Sequence, residues 1–280
     1  MNLAVETDKI QPGAVIAHSA ILSDARPLGG IGTLTVRLAA SPRDVEAAID
    51  LRNDVFRPAG EASAFSDRDR FDDCCDHLLV FDEATPGLPA QKAVGAYRLM
   101  RGEAALTAGG FYSDSEFDVS ALRRRHPGRR FLELGRCCVL PAYRSSRTME
   151  LLWQGVWAYS AMHRIDVMFG CASFAGTIPA RHALALSWLH HYASAEGEWH
   201  VSARQERMIA MDLIPAEAIS AKAAFLAMPP LIKGYLRLGA RFGEGAVVDA
   251  AFGTTDVLVV LPVEMIARRY TDYFGETVSG

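Results

Sequence analysis

The chain has 280 residues, half of them apolar, enough to bury one full core or a core with an extension. A formal charge of −4 excludes a generally basic nucleic-acid binder, and no apolar window is long enough to cross a bilayer. The charge is unevenly placed, because residues 121–147 hold eight arginines and one glutamate, a local +7 against −11 elsewhere.

Residues 1–32 combine Gly, Pro and Ala with little periodicity, and 28–32 reads as a linker, so a flexible arm is expected there. One domain is expected over 33–265, followed by a polar tail at 266–280. A strand at 34–38 leads into Ser41-Pro42-Arg43-Asp44, which reads as a helix start: serine cap, proline at the first position, an acid in the first turn. Val45, Ala48, Ile49, Arg52 and Phe56 share one face of that helix. Residues 57–70 read as a polar loop. Strands at 77–81 and 93–100 follow, and a loop with a short helix over 107–131 carries Arg123, Arg124, Arg125, Arg129 and Arg130.

A strand at 131–139, a helix at 148–163 and a strand at 166–173 make a parallel βαβ unit. Helices at 179–192, 216–227 and 231–238, a strand through 208–213, and a hairpin of 246–249 with 256–263 complete the chain. The fold class is α/β: a mixed sheet with helices on both faces and a helical and hairpin extension at the C-terminal end.

The chemistry concentrates at the central strand and the turn after it. Arg144 and Arg147 enter a helix start, where free N–H groups and the positive dipole end suit a phosphate. Glu133 sits between apolar neighbours, and a carboxylate there is costly unless paired or functional. It reads as a general base, or as an ion-pair partner of Arg98 or Arg136. Alternation places Glu133 and Gly135 on one face and Leu132, Leu134 and Arg136 on the other. Arg136 is either a substrate clamp or a partner for Asp69 or Asp72. Asp69, Asp72, Asp73 and Asp76 form an acidic set that suits a cationic group, or else a solvated loop. The arginine run at 123–130 is a solvated face or a dock for an acidic protein.

Five cysteines, Cys74, Cys75, Cys137, Cys138 and Cys171, fit neither a metal pattern nor a secreted disulfide framework. Glu6 and Asp8 occupy the place of a signal peptide's basic region, so a cytoplasmic location is expected.

Together these residues resemble the GNAT N-acyltransferase superfamily, in which the donor is wedged between two parallel strands and its phosphate lies on the next helix start. The superfamily loop R/Q-x-x-G-x-G/A is matched only at Arg144, with Arg147 and Met149 where glycines belong. Those glycines let backbone wrap a pyrophosphate. Their replacement points away from acetyl-CoA and toward a carrier-protein phosphopantetheine, which has a single phosphodiester. Arg52-x-x-x-Phe56, Asp69-x-x-Asp72, Gly95-x-x-Arg98 and Glu133-Leu134-Gly135-Arg136 also resemble the homoserine-lactone autoinducer synthases. Longer strings across 34–263 are similar to the ornithine Nα-acyltransferases, a family also labelled hemolysin-like. Among them are Gly109-Gly110-Phe111-Tyr112-Ser113, Phe169-Gly170-Cys171-Ala172-Ser173-Phe174 and Pro229-Pro230-Leu231-Ile232-Lys233-Gly234-Tyr235.

That resemblance implies transfer of a 3-hydroxy fatty acyl group from acyl carrier protein to the α-amino group of L-ornithine, giving lyso-ornithine lipid. Glu133 would be the base beside Arg136, with backbone N–H groups near 138–140 facing the oxyanion. Val139, Arg144, Arg147 and Thr148 would hold the phosphopantetheine. Arg52, Phe56, Asp69, Asp72, Asp76, Arg98 and Ser173 would line the acyl and acceptor site, with Asp69, Asp72 or Asp76 on the δ-ammonium. Arg123, Arg124, Arg125, Arg129 and Arg130 would dock the carrier protein. No cofactor, metal or nucleic acid is expected, and 221–240 is a candidate for peripheral contact with the inner membrane. The competing readings are a lactone-forming synthase using S-adenosylmethionine, an acetyl-CoA-dependent N-acetyltransferase, and a non-catalytic lipid- or carrier-binding protein.

Overall fold

The computed structural model describes residues 26–57, 66–87 and 89–266. The tail at 267–280, most of the expected arm and the middle of the 57–70 loop lie outside the described residues. Strand β1 (Gly29–Ile31) pairs antiparallel with β2 (Leu34–Leu38). The stretch read as a linker is therefore the outer half of a hairpin, and Gly32, at φ +63, makes its turn.

Helix α1 (Pro42–Phe56) starts as its sequence predicts, with the Ser41 side chain accepting from the Asp44 N–H and Pro42 in the first turn. Next come β3 (Asp76–Asp82), β4 (Ala93–Arg101), α2 (Gly102–Ala108) and α3 (Val119–Arg125). The central unit is β5 (Phe131–Val139), α4 (Ser146–Met162) and β6 (Val167–Ala175). Three helices follow, α5 (Ala183–Tyr192), α6 (Ala221–Ala227) and α7 (Pro230–Leu238), before the strands β7 (Arg241–Phe242), β8 (Val247–Asp249) and β9 (Thr254–Pro262).

The sheet order is β1-β2-β3-β4-β5-β6-β9-β7, with β8 also on β9. Every pairing is antiparallel except β5 with β6, as the βαβ reading requires. The strand expected at 208–213 does not form; an isolated bridge joins Ile209 to Ala246. Ser187 explains this. Its hydroxyl donates to Met211 C=O and accepts from the Leu213 and Ile214 N–H groups, tying the segment to α5 instead of the sheet.

The sheet separates two cores. On one face Leu99, Leu132 and Leu134 pack with Leu151, Leu152, Val156 and Tyr159 of α4 and Ile232 of α7. On the other lie Phe111, Phe117, Phe131, Phe169 and Val260, while Ala47, Ala48 and Leu51 of α1 cover Leu79, Phe81 and Ala96. Each large side chain buried this way contributes about 1.5–3 kcal/mol. Among the described residues, no helix is long and apolar enough to cross a membrane.

The feature that makes a site is where the sheet opens. Strand β5 pairs with β6 only from Phe131 to Glu133. Beyond that point β5 follows β4 to Val139, and β6 follows β9 to Ala175. Gly170 sits at the last close approach, where a Cβ would lie 2.2 Å from the Leu134 carbonyl oxygen. A bulge then bends β5 away: Arg98 faces Gly135 and Ala96 faces Cys138, so two residues of β5 oppose Tyr97. Arg136 takes the left-handed conformation at φ +52, a cost of roughly 1–2 kcal/mol for a residue with a side chain. The bulge also turns Arg136 onto the Glu133 face, opposite to the face that strict alternation assigns it.

Candidate active site

Glu133 is buried at the point where the strands part. Its Oε2 accepts the Tyr112 N–H at 2.9 Å, and its Oε1 accepts the Ser113 N–H at 2.7 Å and the Ser113 hydroxyl. Neither Arg98 nor Arg136 forms the ion pair that residue types allowed. Three donors fill three of roughly four lone-pair positions on a carboxylate, which leaves one on Oε2. Burial raises the Glu133 pKa, and the hydrogen bonds from Ser113 and Tyr112 only partly offset it. A carboxylate held this way, with its proton affinity raised, is suited to accept a proton at one defined place.

Beside it, three arginines and three aspartates form a charge-balanced lattice. Arg52 of α1 grips Asp72 with both terminal nitrogens, at 2.7 and 2.8 Å, and donates through Nε to Asp67 at 2.6 Å. Arg98 of β4 bonds Asp69 at 2.7 Å and Asp72 at 3.1 Å. Arg136 reaches Asp67 at 3.1 Å and Asp69 at 3.4 Å, and its guanidinium lies 4.5 Å from the Tyr112 ring and 4.6 Å from the Phe252 ring. Burial acts to raise the Asp72 pKa, but the Arg52 hydrogen bonds and the Asp69 N–H hold it far below the usual carboxylate range. Asp67 keeps a raised pKa because burial outweighs Arg136 and Arg52.

The lattice corrects one expectation. Asp69 and Asp72 are spent on arginines, and Asp76 stands apart from them, bonded to the Tyr159 hydroxyl and 3.6 Å from Arg101. None of the three is a free carboxylate waiting for a cation. Phe56 does reach the site, edge-on to Phe252 at 6.0 Å, and Ser173 is exposed on β6 across the opening.

At the far end of β5, Arg144 and Arg147 are exposed beside the start of α4, and the Ser145 side chain caps the helix through the Thr148 N–H. Two expected donor contacts are used internally. The Thr148 hydroxyl donates to Tyr143 C=O at 2.7 Å, and Val139 C=O accepts from Arg144 Nε at 3.2 Å. The Leu140 N–H likewise goes to Val94 C=O at 2.9 Å, which removes it from the expected oxyanion donors.

The arginine run expected to dock the carrier protein lies at the opposite end of β5. The run ends at Arg130, just before Phe131, and nine steps along the strand from there to Val139 at about 3.3 Å each span roughly 30 Å. Several of its side chains are also engaged within the chain. Arg125 donates to Glu198 and His200 carbonyls, Arg129 pairs with Glu264 at 3.0 Å, and the Arg123 guanidinium lies 5.1 Å from the Phe111 ring. The local +7 is thus divided between two ends of one strand.

Residues that the sequence left unassigned complete the site. Tyr112 and Ser113 hold Glu133, and Asp67 joins the lattice. Glu116, Asp249 and Asp256 gather near Ser173, with one oxygen from each within 4.8 Å of the others. The signal for Asp256 was available, since it is the one charge in the apolar strand Thr254–Pro262.

Residues 51–154 match the acetyltransferase (GNAT) domain family. The chain is 56% identical to the L-ornithine N(alpha)-acyltransferase of Agrobacterium fabrum over 254 residues, which is 88% of this chain and 87% of that protein. It is 56% identical to the enzyme of that name from Brucella abortus, covering 90% of this chain and 92% of that protein. Against the Rhizobium meliloti enzyme of the same name it is 54% identical, covering 89% and 86%.

Proposed function

The chain belongs to the L-ornithine N(alpha)-acyltransferase family, and from that membership we propose that it acylates the α-amino group of L-ornithine, with a 3-hydroxyacyl carrier protein as donor. The observation that carries the reading is the identity of more than half the residues over nearly the whole chain. The opening between β5 and β6, with the buried Glu133 at its apex, supports that reading.

The α-nitrogen attacks the thioester carbonyl carbon, the C–N bond forms, the C–S bond breaks, and the pantetheine sulfur leaves as a thiolate that takes up the second proton the nitrogen sheds on becoming an amide. An α-ammonium titrates near 8, so at neutral pH it must first give up a proton. The open Oε2 position of Glu133, directly or through one water, is the acceptor. The donor's single phosphodiester lies on the N–H groups of Ser146 and Arg147 at the start of α4, with the Arg144 and Arg147 guanidinium groups beside it. The other residues proposed to line the cleft are Phe56, Arg136 and Ser173, with Arg52 and Arg98 positioning them through the aspartates. No cofactor takes part, and the carrier protein approaches the α4 end of the sheet, on the cytoplasmic side if the product passes to the inner membrane.

The test compares 3-hydroxyacyl carrier protein with the same acyl group on CoA, at fixed ornithine. The carrier-protein donor gives the higher kcat/KM, and Arg144→Glu with Arg147→Glu raises its KM about 10- to 100-fold, the worth of one charged hydrogen bond. Arg123→Glu with Arg124→Glu leaves that KM where it was. Equal use of the CoA thioester, or a KM that responds to Arg123 and Arg124 instead, would overturn the donor assignment.

A further inference from the structure

Three carboxylates outside the arginine lattice meet beside the opening. Glu116 follows the turn that holds Glu133, Asp249 ends β8, and Asp256 lies on β9 directly across from Ser173 of β6. Among the described residues, Glu116 alone of the three has an ion-pair partner, Arg207 at 3.1 Å. Asp249 spends one oxygen on the Ala251 and Phe252 N–H groups. Asp256 is only 6% exposed, yet its buried Oδ1 accepts no hydrogen bond. An unpartnered carboxylate oxygen in the interior is costly unless a cation or a proton reaches it, and burial accordingly raises the Asp256 pKa. With Arg207 their one ion-pair partner among the described residues, and Arg136 acting on Asp256 only from a distance, burial raises the pKa of Glu116 as well as that of Asp256; a cation arriving among them would relieve that.

The cluster is joined to the reaction site. Cys171 Sγ lies 3.5 Å from Glu116 Oε2 and 3.4 Å from Ser113 Oγ, the hydroxyl that bonds Glu133. Burial keeps the Cys171 thiol protonated, so it serves as a neutral donor between the two. The carboxylates and Glu133 thus share one wall of the cleft.

Taking the acceptor to be a diamino acid, as proposed above, the geometry points to Glu116, Asp249 and Asp256 as the subsite for its side-chain ammonium. A primary ammonium presents three donors and no acceptor, which matches three converging carboxylates. The same placement accounts for which nitrogen reacts. An amine surrounded by carboxylates holds its proton more tightly and cannot attack a thioester. The α-nitrogen, beside the single open position of Glu133, is the one that loses a proton. The subsite thus acts as a regioselectivity device: it recognises one amine by keeping it unreactive.

Glu116 supplies a second readout. Burial, then Asp256, pushes its pKa up to about 7, with Asp249 adding to the rise and Arg207 and the Cys171 thiol opposing it. Below that pH the empty site holds a proton on Glu116. An arriving ammonium favours the ionised form, so binding releases a proton and tightens as pH rises toward 7.

The experiment measures acylation of L-ornithine and of L-norvaline, which has the same carbon skeleton without the second amine. Asp256→Asn and Asp249→Asn lower the ornithine-to-norvaline ratio of kcat/KM about 10- to 100-fold, mainly through the ornithine KM. An unchanged ratio in folded variants overturns the subsite. Calorimetry of L-ornithine with the wild-type enzyme at pH 6, in two buffers of different ionisation heat, shows proton release; ornithine binding without it overturns the subsite even if the variants fail to fold. Calcium binding that Asp256→Asn abolishes, with the ratio unchanged, would make this a metal site and also overturn it. A wild-type enzyme that acylates neither amino acid would instead sink the functional reading on which the subsite rests.

Discussion

Arg52→Ala lowers the stability of the folded protein by about 3–5 kcal/mol, the usual cost of removing one partner from a buried ion pair. Arg52 is 1% exposed, and the change strands Asp72 and Asp67 in the interior without the guanidinium that spans them. A loss of that size is a large part of the 5–15 kcal/mol typical of a domain. It appears as a fall in Tm on the order of 10 °C. Arg52→Lys does not rescue it, because an ammonium cannot make the paired contacts of a planar fork. Arg68→Ala is the control: its partners Glu46 and Asp73 are exposed, and pairs of that kind contribute roughly 0–1 kcal/mol. Thermal unfolding of the three variants checks this. Similar small shifts for Arg52→Ala and Arg68→Ala would remove the lattice as the frame of the site.

Glu133→Gln lowers kcat about 10²- to 10⁴-fold, the range expected for loss of a positioned general base. The amide keeps the volume but sets an NH₂ group against the Tyr112 or Ser113 N–H and removes the proton acceptor. Ser113→Ala takes away one of three hydrogen bonds and leaves the carboxylate, so its loss is no more than about tenfold. The pH dependence separates position from chemistry. Burial raises the Glu133 pKa, so the acid limb of kcat at saturating ornithine, where the bound ammonium already keeps Glu116 ionised, falls at a higher pH than an ordinary glutamate near 4.3 would give. Activity is present above that limb and lost as pH drops through it, and Glu133→Gln abolishes the limb. Near-full turnover in Glu133→Gln at saturating substrates would show that Glu133 only braces the Tyr112–Ser115 turn.

Much of this architecture was legible in the sequence. The Ser41-Pro42 helix start, the parallel unit around β5 and the C-terminal strands follow from local patterns: a cap, an apolar period, a turn. The residues of the arginine lattice were nearly all visible too, but their pairing was not. It depends on the loop carrying Asp67, Asp69 and Asp72 folding back under α1 and β4, a long-range contact with no local signature.

The Arg136 bulge was illegible for a related reason. Alternation by twos assumes an unbroken ladder, and a single extra residue against Tyr97 moves the arginine to the other face. Asp76 and the arginine run misled because nearness in sequence was read as nearness in space. Asp76 opens β3 with its side chain turned to Tyr159 of α4, while its neighbour His77 faces Asp72, and the length of β5 separates Arg123–Arg130 from Arg144. The carboxylates at 116, 249 and 256 come from three distant segments, and only the sheet brings them together.

The most direct measurement incubates the purified protein with 3-hydroxyacyl carrier protein and radiolabelled L-ornithine, extracts into organic solvent, and locates the amide by fragmentation. Label enters the lipid phase only when the carrier protein is present, and the product bears its amide on the α-nitrogen with the δ-amine free. Thiol release without ornithine label, or an amide on the δ-nitrogen, would contradict both the acceptor and the way the site is read to hold it.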